Sequence, residues 1–300
     1  MIHIAWSPDF CHPLPPEHRF PMVKYNLIKD QLIWESVIEE HQLFDPPALA
    51  LQEAAPPHTK EYLGHLLEGN LSPREQRILG FPLNPALLVR ELKICQGTLT
   101  CAMSSLSNGV GLNCAGGTHH AFRDRGEGFC LLNDFAVALH ILMRNNKIKK
   151  ALIIDLDVHQ GNGSAAIFAS EDRVFTFSMH GANNYPFKKE CSDLDIELKD
   201  GTTDGMYLKL LEESLVRLID QVKPDLACYQ SGVDILTTDK FGKLAITPQG
   251  CRTRDDLVFQ FLSKKNIPCV VAMGGGYSPE IKDVVNAHCE TFKAAMDAYI

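Results

Sequence analysis

The sequence predicts an α/β fold in which a parallel, multi-stranded sheet is covered by helices on both faces. Short apolar segments alternate along the 300 residues with longer segments of helical periodicity. Each short segment is apolar along its whole length, which is typical of strands that are buried on both faces. The chain has no internal repeat, low-complexity tract or charged linker, so we expect one continuous domain over residues 1–300.

The individual elements follow from these two patterns. The strand candidates are the apolar runs 2–5, 110–113, 151–155, 174–179, 226–229 and 268–273. The helix candidates, in which apolar residues recur at three- and four-residue steps, are 23–42, 58–68, 85–107, 133–147, 203–222, 248–264 and 279–298. Ligands of parallel α/β sheets bind beyond the carboxyl ends of the strands, so functional residues should directly follow strands.

The composition is that of an acidic protein. Lysine and arginine number 29 and aspartate and glutamate 37, for a net charge of -8. Nucleic acids and membrane surfaces are polyanionic, so this balance argues against binding to either. The N-terminus lacks the features of a signal peptide, and no apolar run is long enough to span a membrane. Ten scattered cysteines without a CxxC pair predict no thiolate zinc site, and we expect a cytoplasmic protein with reduced thiols.

The strongest chemical signal directly follows the strand candidate at 151–155. There the sequence places Asp155, Asp157 and His159 at alternate positions, followed by Gln-Gly-Asn-Gly. Burying unpaired charge costs on the order of several kcal/mol, so these groups imply a neutralising cation. Strand alternation would direct all three to one side. Oxygen and nitrogen ligands without thiolate suit Zn²⁺ or another first-row divalent ion, while a helix cap is the structural alternative for Asp155.

Tandem histidines follow the strand candidate at 110–113. His119 and His120 stand behind Gly116-Gly117, and glycine lets the backbone approach a ligand closely. Such a pair could supply metal ligands or general bases. Because three ligands are available elsewhere, we favour the base role.

A catalytic zinc usually has three protein ligands, so Asp157 and His159 need a third. Asp234, in the Gly-Val-Asp that follows the strand candidate at 226–229, is the best-placed carboxylate. Asp239 is the rival, and turn or cap chemistry is the structural alternative for either residue.

A glycine run follows the strand candidate at 268–273. Gly275 and Gly276 would let the backbone pack tightly against a substrate chain, and Tyr277 would add a hydroxyl donor. A flexible turn with a packing tyrosine is the structural alternative.

Taken together, these strings resemble the histone deacetylase superfamily, which has the arginase–deacetylase fold. The resemblance covers nearly the whole chain and includes GGTHHA (116–121), GEGFCLLND (126–134), DLDVHQGNG (155–163), SMH (178–180), SGVDILTTD (231–239) and GGGY (274–277). The wording of several strings, together with WSPDF and HRFPMVKY (18–25), is most similar to the class IV branch and its bacterial relatives. Class I members typically have Asp where Asn162 stands. No motif of the chain matches the acidic rim residue with which class I enzymes anchor the peptide backbone.

The resemblance assigns a role to each matching position. It implies one zinc ion held by Asp157, His159 and Asp234. The resemblance implies an inner histidine, His119, oriented by Asp155, and an outer histidine, His120, oriented by Asn162. It implies Tyr277 as the tyrosine that polarises the substrate carbonyl.

The resemblance also implies a substrate channel and a second ion. Gly128 and Phe129 match part of the acyl-lysine channel wall, and Tyr185 is the candidate for the second aromatic wall. A structural K⁺ beside the zinc would have as its neighbours Asp155, Asp157, His159, Ser178 and Met179.

The expected activity is zinc-dependent removal of acyl groups, acetyl or longer, from lysine side chains of proteins or peptides. An acetylpolyamine or small-molecule deacetylase is the first alternative. A binuclear manganese ureohydrolase like arginase would need a carboxylate at Gly161 and another two residues from Asp234, and neither is present. A silent acyl-lysine-binding module is the alternative outside enzymes. The segments 12–20 and 181–194 are expected to shape the pocket, and the oligomeric state is left open.

Overall fold

The computed structural model describes residues 2–299, which form an eight-stranded sheet flanked by helices. In chain order the strands are β1 (Ile4–Ala5), β2 (Leu43–Phe44), β3 (Val110–Asn113), β4 (Ala151–Asp155), β5 (Val174–Gly181), β6 (Leu194–Leu198), β7 (Leu226–Gln230) and β8 (Cys269–Ala272). Their order across the sheet is β2-β1-β3-β8-β7-β4-β5-β6, and every neighbouring pair is parallel. The predicted α/β class with a parallel sheet is therefore confirmed.

The α-helices of the described residues connect these strands. They are α1 (Lys24–Trp34), α2 (Lys60–Glu68), α3 (Pro73–Leu79), α4 (Pro85–Asn108), α5 (Asp134–Arg144), α6 (Asn162–Phe168), α7 (Asp204–Val222), α8 (Pro248–Lys264) and α9 (Ile281–Tyr299). Within residues 2–299, no helix has the length and apolar character needed to cross a membrane.

The two faces of the sheet bury separate hydrophobic clusters. Alternation along β4 places Leu152 and Ile154 in one cluster and Ala151 and Ile153 in the other. Helices α1, α7, α8 and α9 supply the first cluster, whereas α2, α4, α5 and α6 supply the second. Helices thus cover both faces, as the continuous apolar strands predicted.

The predicted helix 23–42 is too long. Helix α1 ends at Trp34, and Ser36 then adopts φ 56°, a left-handed conformation that does not continue a helix. Two strands and two short helices were also missed. Strand β6 lies at the sheet edge and alternates apolar with charged residues, so it lacks the continuous apolar run of an inner strand. Helix α3 has a local signal, a capping box between Ser72 and Glu75.

Four neighbouring strands in the middle of the sheet present the sequence motifs at one edge. The loops after β3, β8, β7 and β4, which are adjacent in that order, contain the histidine pair, the glycine run, Asp234 and the Asp157–His159 segment. Each motif therefore follows a strand end, as the parallel architecture requires.

Candidate active site

Asp157, His159 and Asp234 converge on one point beyond β4 and β7. One ligand atom from each residue lies within 4.8 Å of the others. The Nδ1 atom of His159 is 3.0 Å from Asp157 Oδ1 and 3.0 Å from Asp234 Oδ2. Both carboxylates are buried, and the imidazole is only 12% exposed. Strand β4 ends at Asp155, so the following loop, rather than strand alternation, brings Asp157 and His159 together.

The electrostatics of this cluster favour a bound cation. Burial and the adjacent Asp157 carboxylate raise the pKa of Asp234 to about 7. Burial lowers the pKa of His159, but its hydrogen bonds with the two carboxylates outweigh that effect and raise the pKa to about 10. Two buried carboxylates at this separation repel each other, and a divalent ion would relieve that repulsion. Two oxygen donors and one imidazole nitrogen fit zinc.

The structure leaves no place for the carboxylates of a binuclear site. A Cβ atom at Gly161 would overlap Asp155 Oδ2, so a carboxylate could enter position 161 only by displacing Asp155. Ile235 and Leu236, which follow Asp234, are buried in the hydrophobic core. The two positions at which a binuclear site would need carboxylates are therefore occupied by a glycine and by core apolar residues.

Each histidine of the pair contacts a different side chain through its Nδ1 atom. His119 Nδ1 lies 2.7 Å from Asp155 Oδ2, and His120 Nδ1 lies 2.6 Å from Asn162 Oδ1. The two rings are buried with their centroids 4.1 Å apart, and His119 Nε2 lies 4.0 Å from Asp157 Oδ1. The Nδ1 contacts leave Nε2 of each ring available for chemistry.

The two histidines have opposite electrostatic surroundings. Burial lowers the pKa of His119, but the carboxylates of Asp155 and Asp157 outweigh it and raise that pKa above its ordinary value. Burial and the neighbouring His119 and His159 hold the pKa of His120 well below its ordinary value. Groups whose surroundings move their pKa values apart are suited to different acid and base roles.

Tyr277 stands beside the cluster on the loop after β8. Its ring centroid is 6.4 Å from that of His159. Burial, together with the charges of Asp234 and Asp157, raises the pKa of Tyr277 well above its ordinary value, so the hydroxyl stays protonated and can donate. Asp239, the rival third ligand, instead accepts hydrogen bonds from the backbone N–H groups of Phe241, Gly242 and Tyr277.

The two glycines before Tyr277 have different surroundings. The N–H of Gly275 donates to Asp157 Oδ2 at 2.7 Å, and a Cβ atom on Gly275 would overlap Asp234 Oδ2. Gly275 also lines an inner cavity next to the histidine pair. Gly276 packs toward the protein interior, where a Cβ atom would lie 2.6 Å from Val233 Cγ2. The lack of a side chain at Gly275 thus lets its backbone lie against the carboxylates of Asp157 and Asp234.

An outer pocket of about 670 Å³ leads from the surface to His120, His159 and Tyr277. The predicted wall residues Gly128, Phe129 and Tyr185 all line it. The Phe129 ring centroid is 6.2 Å from that of Tyr277, and the Tyr185 centroid is 5.0 Å from that of His120. The segments 12–20 and 181–194 supply part of the lining, as expected.

The residues predicted around potassium come from neighbouring strands. Asp155 on β4 and Ser178 on β5 are register partners, and Met179 is the next residue along β5. Ser178 and Met179 are buried, and Asp155 is 3% exposed. Asp157 and His159 begin the loop after β4, so all five predicted neighbours lie at the same end of two adjacent strands.

One residue that holds the loop with His119 and His120 in place was not predicted from the sequence. Asp134, in the first turn of α5, is buried and accepts hydrogen bonds from the N–H groups of Gly117 and Thr118. Its carboxylate also accepts from the hydroxyls of Thr118 and Thr98. Asp134 closes the GEGFCLLND string, but nothing in its local spacing indicates this contact with residues 117 and 118.

Two buried cations, also unpredicted, hold the loops after β7 and β8. Arg254 on α8 donates to the carbonyl of Gly232 at 2.5 Å and that of Ser231 at 3.4 Å. The ammonium of Lys24 on α1 donates to the carbonyl of Gly274 at 2.9 Å. Burial lowers the pKa of Lys24 to about 8. A single Lys or Arg within a predicted helix gives no signal of such a role.

Comparison with known proteins identifies relatives of this chain. A histone deacetylase domain model matches residues 18–292. Over 298 residues the chain is 41% identical to an uncharacterized protein of Picosynechococcus sp., with 99% of each chain covered. It is 32% identical over 269 residues to histone deacetylase 2 of Arabidopsis thaliana, and the alignment covers 87% of this chain and 70% of that protein.

Solved structures show the same fold. A crystal structure of an HDAC homolog complexed with SAHA has a TM-score of 0.82 at 24% identity and covers 97% of this chain and 82% of that chain. The HDAC homolog from Aquifex aeolicus has a TM-score of 0.83 at 23% identity and covers 98% and 84%. At such low identities these two matches show the fold alone. Since the domain model spans most of the sequence, this chain belongs to the histone deacetylase family.

Proposed function

We propose that this protein is a zinc-dependent deacylase that removes acetyl or longer acyl groups from lysine side chains. Family membership supports a hydrolytic deacetylase. The observation on which the finer proposal rests is the convergence of Asp157, His159 and Asp234 within 4.8 Å, with His159 and Tyr277 both lining the outer pocket. The expectation of one catalytic domain over residues 1–300, of the class IV type, remains part of this proposal.

Asp157, His159 and Asp234 would hold the zinc ion. When bound, zinc would act as a Lewis acid on the amide carbonyl and bring the pKa of a coordinated water toward about 7. The potassium ion would be held, partly through main-chain oxygens, by Asp155, Asp157, His159, Ser178 and Met179. In support, Asp155 and Ser178 are adjacent on β4 and β5.

The two histidines beside the metal cluster would carry out the proton transfers. The His119–His120 pair removes a proton from the attacking water and returns one to the departing lysine amine. General acid–base help of this kind is worth roughly 10²–10⁴-fold. Asp155 and Asn162 fix the ring orientations through the Nδ1 atoms, 2.7 Å and 2.6 Å away.

Tyr277 would stabilise the negative charge that develops on the carbonyl oxygen. Its hydroxyl remains protonated because burial and the nearby carboxylates raise its pKa. Gly128, Phe129 and Tyr185 would enclose the methylene chain of the acyl-lysine in the outer pocket. Aromatic walls exclude water along such a chain and leave the amide exposed to the catalytic groups.

A hydrolysis assay tests the proposal. Purified protein is incubated with peptides that contain acetyl-, octanoyl- or myristoyl-lysine, and release of the free amine is followed before and after chelation and zinc addition. We expect turnover that chelation abolishes and zinc restores. The matched variant Tyr277→Phe, which removes one hydroxyl, should retain zinc and lose roughly 10²–10³-fold in turnover. Zinc-loaded protein that binds acyl-lysine peptides without hydrolysing them would instead be a binding module.

A further inference from the structure

The mouth of the outer pocket is positively charged, in contrast to the protein as a whole. Arg19, Arg77 and Lys243 line the pocket that ends at the catalytic residues, and all three are exposed. Among residues 2–299, the one carboxylate that lines the same pocket is that of Glu127. The net charge of -8 therefore does not describe the field that a substrate meets at the entrance.

The Glu127 charge is already compensated by other groups. One carboxylate oxygen accepts from Arg125 Nε at 2.7 Å, and the other accepts from the Tyr185 hydroxyl at 2.7 Å. Arg19, Arg77 and Lys243 form no ion pair with any carboxylate of residues 2–299. The Lys243 ammonium donates to a neutral group, the backbone carbonyl of Asn183, at 3.0 Å. Three cationic groups at the mouth thus lack an anionic partner within the described chain.

Arg19 is held in position over the pocket walls. Its guanidinium carbon lies 5.3 Å from the ring centroids of both Phe129 and Phe241, which line the pocket. Contact with two rings restricts the side chain and leaves the N–H groups at the guanidinium edge free to donate. A guanidinium in this state binds a carboxylate at a reduced entropic cost, through two parallel hydrogen bonds.

The charge at the mouth separates the two substrate classes left open by the sequence. An acylated polyamine would bring further ammonium groups toward three unpaired cations. A peptide with Asp or Glu beside the acyl-lysine would bring carboxylates instead. Two unit charges about 5 Å apart in water interact strongly enough to change affinity roughly fourfold, so two such pairs give about sixteenfold. Salt at physiological strength reduces this effect.

We propose that the protein selects acyl-lysines flanked by acidic residues and that Arg19 is the anchor for a substrate carboxylate. This inference rests on the proposed function and names the substrate class of the same site. Arg77 and Lys243 add to the field at the entrance. Selection acts on substrate binding, because these exposed side chains line the pocket and have no part in the proposed proton transfers.

A matched peptide series tests this inference. The peptides share one acetyl-lysine and differ only in flanking Glu, Gln or Lys residues, and an acetylated polyamine is the fourth substrate. At low ionic strength we expect kcat/KM to fall by at least about tenfold from the Glu peptide to the Lys peptide, mainly through KM, with the polyamine lowest. High salt should narrow the range. Arg19→Gln should weaken the preference, and Arg19→Glu should abolish or invert it.

Arg217→Glu on α7 is the control, since it makes the same charge change at an exposed position outside the pocket and should leave the preference intact. Arg19→Lys should keep part of the charge effect and lose the two-bond contact. Equal kcat/KM for all three peptides would overturn the inference and leave the deacylase proposal standing. A preference for the Lys peptide or the polyamine would also overturn it. Absence of hydrolysis of every substrate would overturn the deacylase proposal itself.

Discussion

Asp239 holds Tyr277 by its backbone: the Tyr277 N–H donates to Asp239 Oδ2 at 2.6 Å. The other oxygen, Oδ1, accepts from the N–H groups of Phe241 and Gly242, each at 2.8 Å. The carboxylate that was the rival metal ligand therefore joins two loops and fixes the backbone from which the Tyr277 side chain extends. Three backbone donors occupy it, and it lies outside the metal cluster.

Asp239→Asn should reduce turnover without removing the metal. The amide nitrogen of Asn would face a backbone N–H, so one of the hydrogen bonds would be lost and Tyr277 would shift. A displacement of about 1 Å at a catalytic group can cost roughly 10²-fold in rate. We expect kcat to fall by about 10- to 100-fold with zinc content unchanged, measured by steady-state kinetics and metal analysis. Loss of zinc in step with activity would return Asp239 to the ligand set.

Gly275→Ala should prevent metal binding. The new Cβ atom would overlap Asp234 Oδ2 and force that carboxylate away from Asp157 and His159. We expect most of the bound zinc to be lost, with hydrolysis lost in parallel, as measured by metal analysis of the purified protein. Gly205→Ala on α7 is the control, because a Cβ atom there meets nothing within 4 Å and alanine favours a helix. A Gly275→Ala protein with full zinc content would contradict the geometry.

Arg254→Met should destabilise the fold strongly. Arg254 and Asp255 form a fully buried ion pair at 2.8 Å, and Asp255 also accepts from the hydroxyls of Tyr229 and Thr291. Removing the cation leaves a buried carboxylate without its charge partner, which typically costs about 3–5 kcal/mol. Urea denaturation should show a loss of that size in the free energy of unfolding.

The double variant Arg254→Met with Asp255→Leu should recover part of this loss, because both buried charges are gone. A loss below about 1 kcal/mol in the single variant would show that other groups compensate the Asp255 carboxylate once Arg254 is removed. The variant also tests whether the carbonyls of Ser231 and Gly232, which Arg254 binds, need this anchor to keep Asp234 in place.

His58 should make stability depend on pH. Burial lowers its pKa to about 4 in the folded protein, where Nδ1 lies 2.8 Å from the Phe122 carbonyl and Nε2 accepts from the Asn133 N–H. In the unfolded chain the pKa is about 6.5. Above pH 6.5 neither state takes up a proton here. As the pH falls toward 4 only the unfolded state does, so the free energy of unfolding decreases by about 3 kcal/mol.

The variant His58→Gln isolates this contribution, because glutamine does not titrate. Urea denaturation at pH 7 and pH 4.5 should show a smaller decrease for the variant than for the parent protein. Equal decreases in the two proteins would mean that His58 does not take up its proton on unfolding.

The sequence predicted the parts of the site that depend on local spacing. Continuous apolar runs located the inner strands, and polar groups directly after them identified Asp157, His159 and the histidine pair. Contacts between distant segments were not predictable. Asp134 reaches residues 117 and 118, and Asp239 reaches Tyr277, through hydrogen bonds that depend on how loops from different strands meet. The half-buried edge strand β6 lacks the apolar run of a fully buried strand, so it was missed.

Zinc titration of the metal-free protein tests the central claim, a single zinc ion held by Asp157, His159 and Asp234 and required for amide hydrolysis. Zinc is added in sub-stoichiometric steps to protein at a concentration far above its dissociation constant, and hydrolysis of an acetyl-lysine peptide is recorded at each step. We expect activity to rise linearly from zero and to reach its plateau at one zinc per chain. A plateau at two zinc ions per chain, or full activity before any zinc is added, would contradict it.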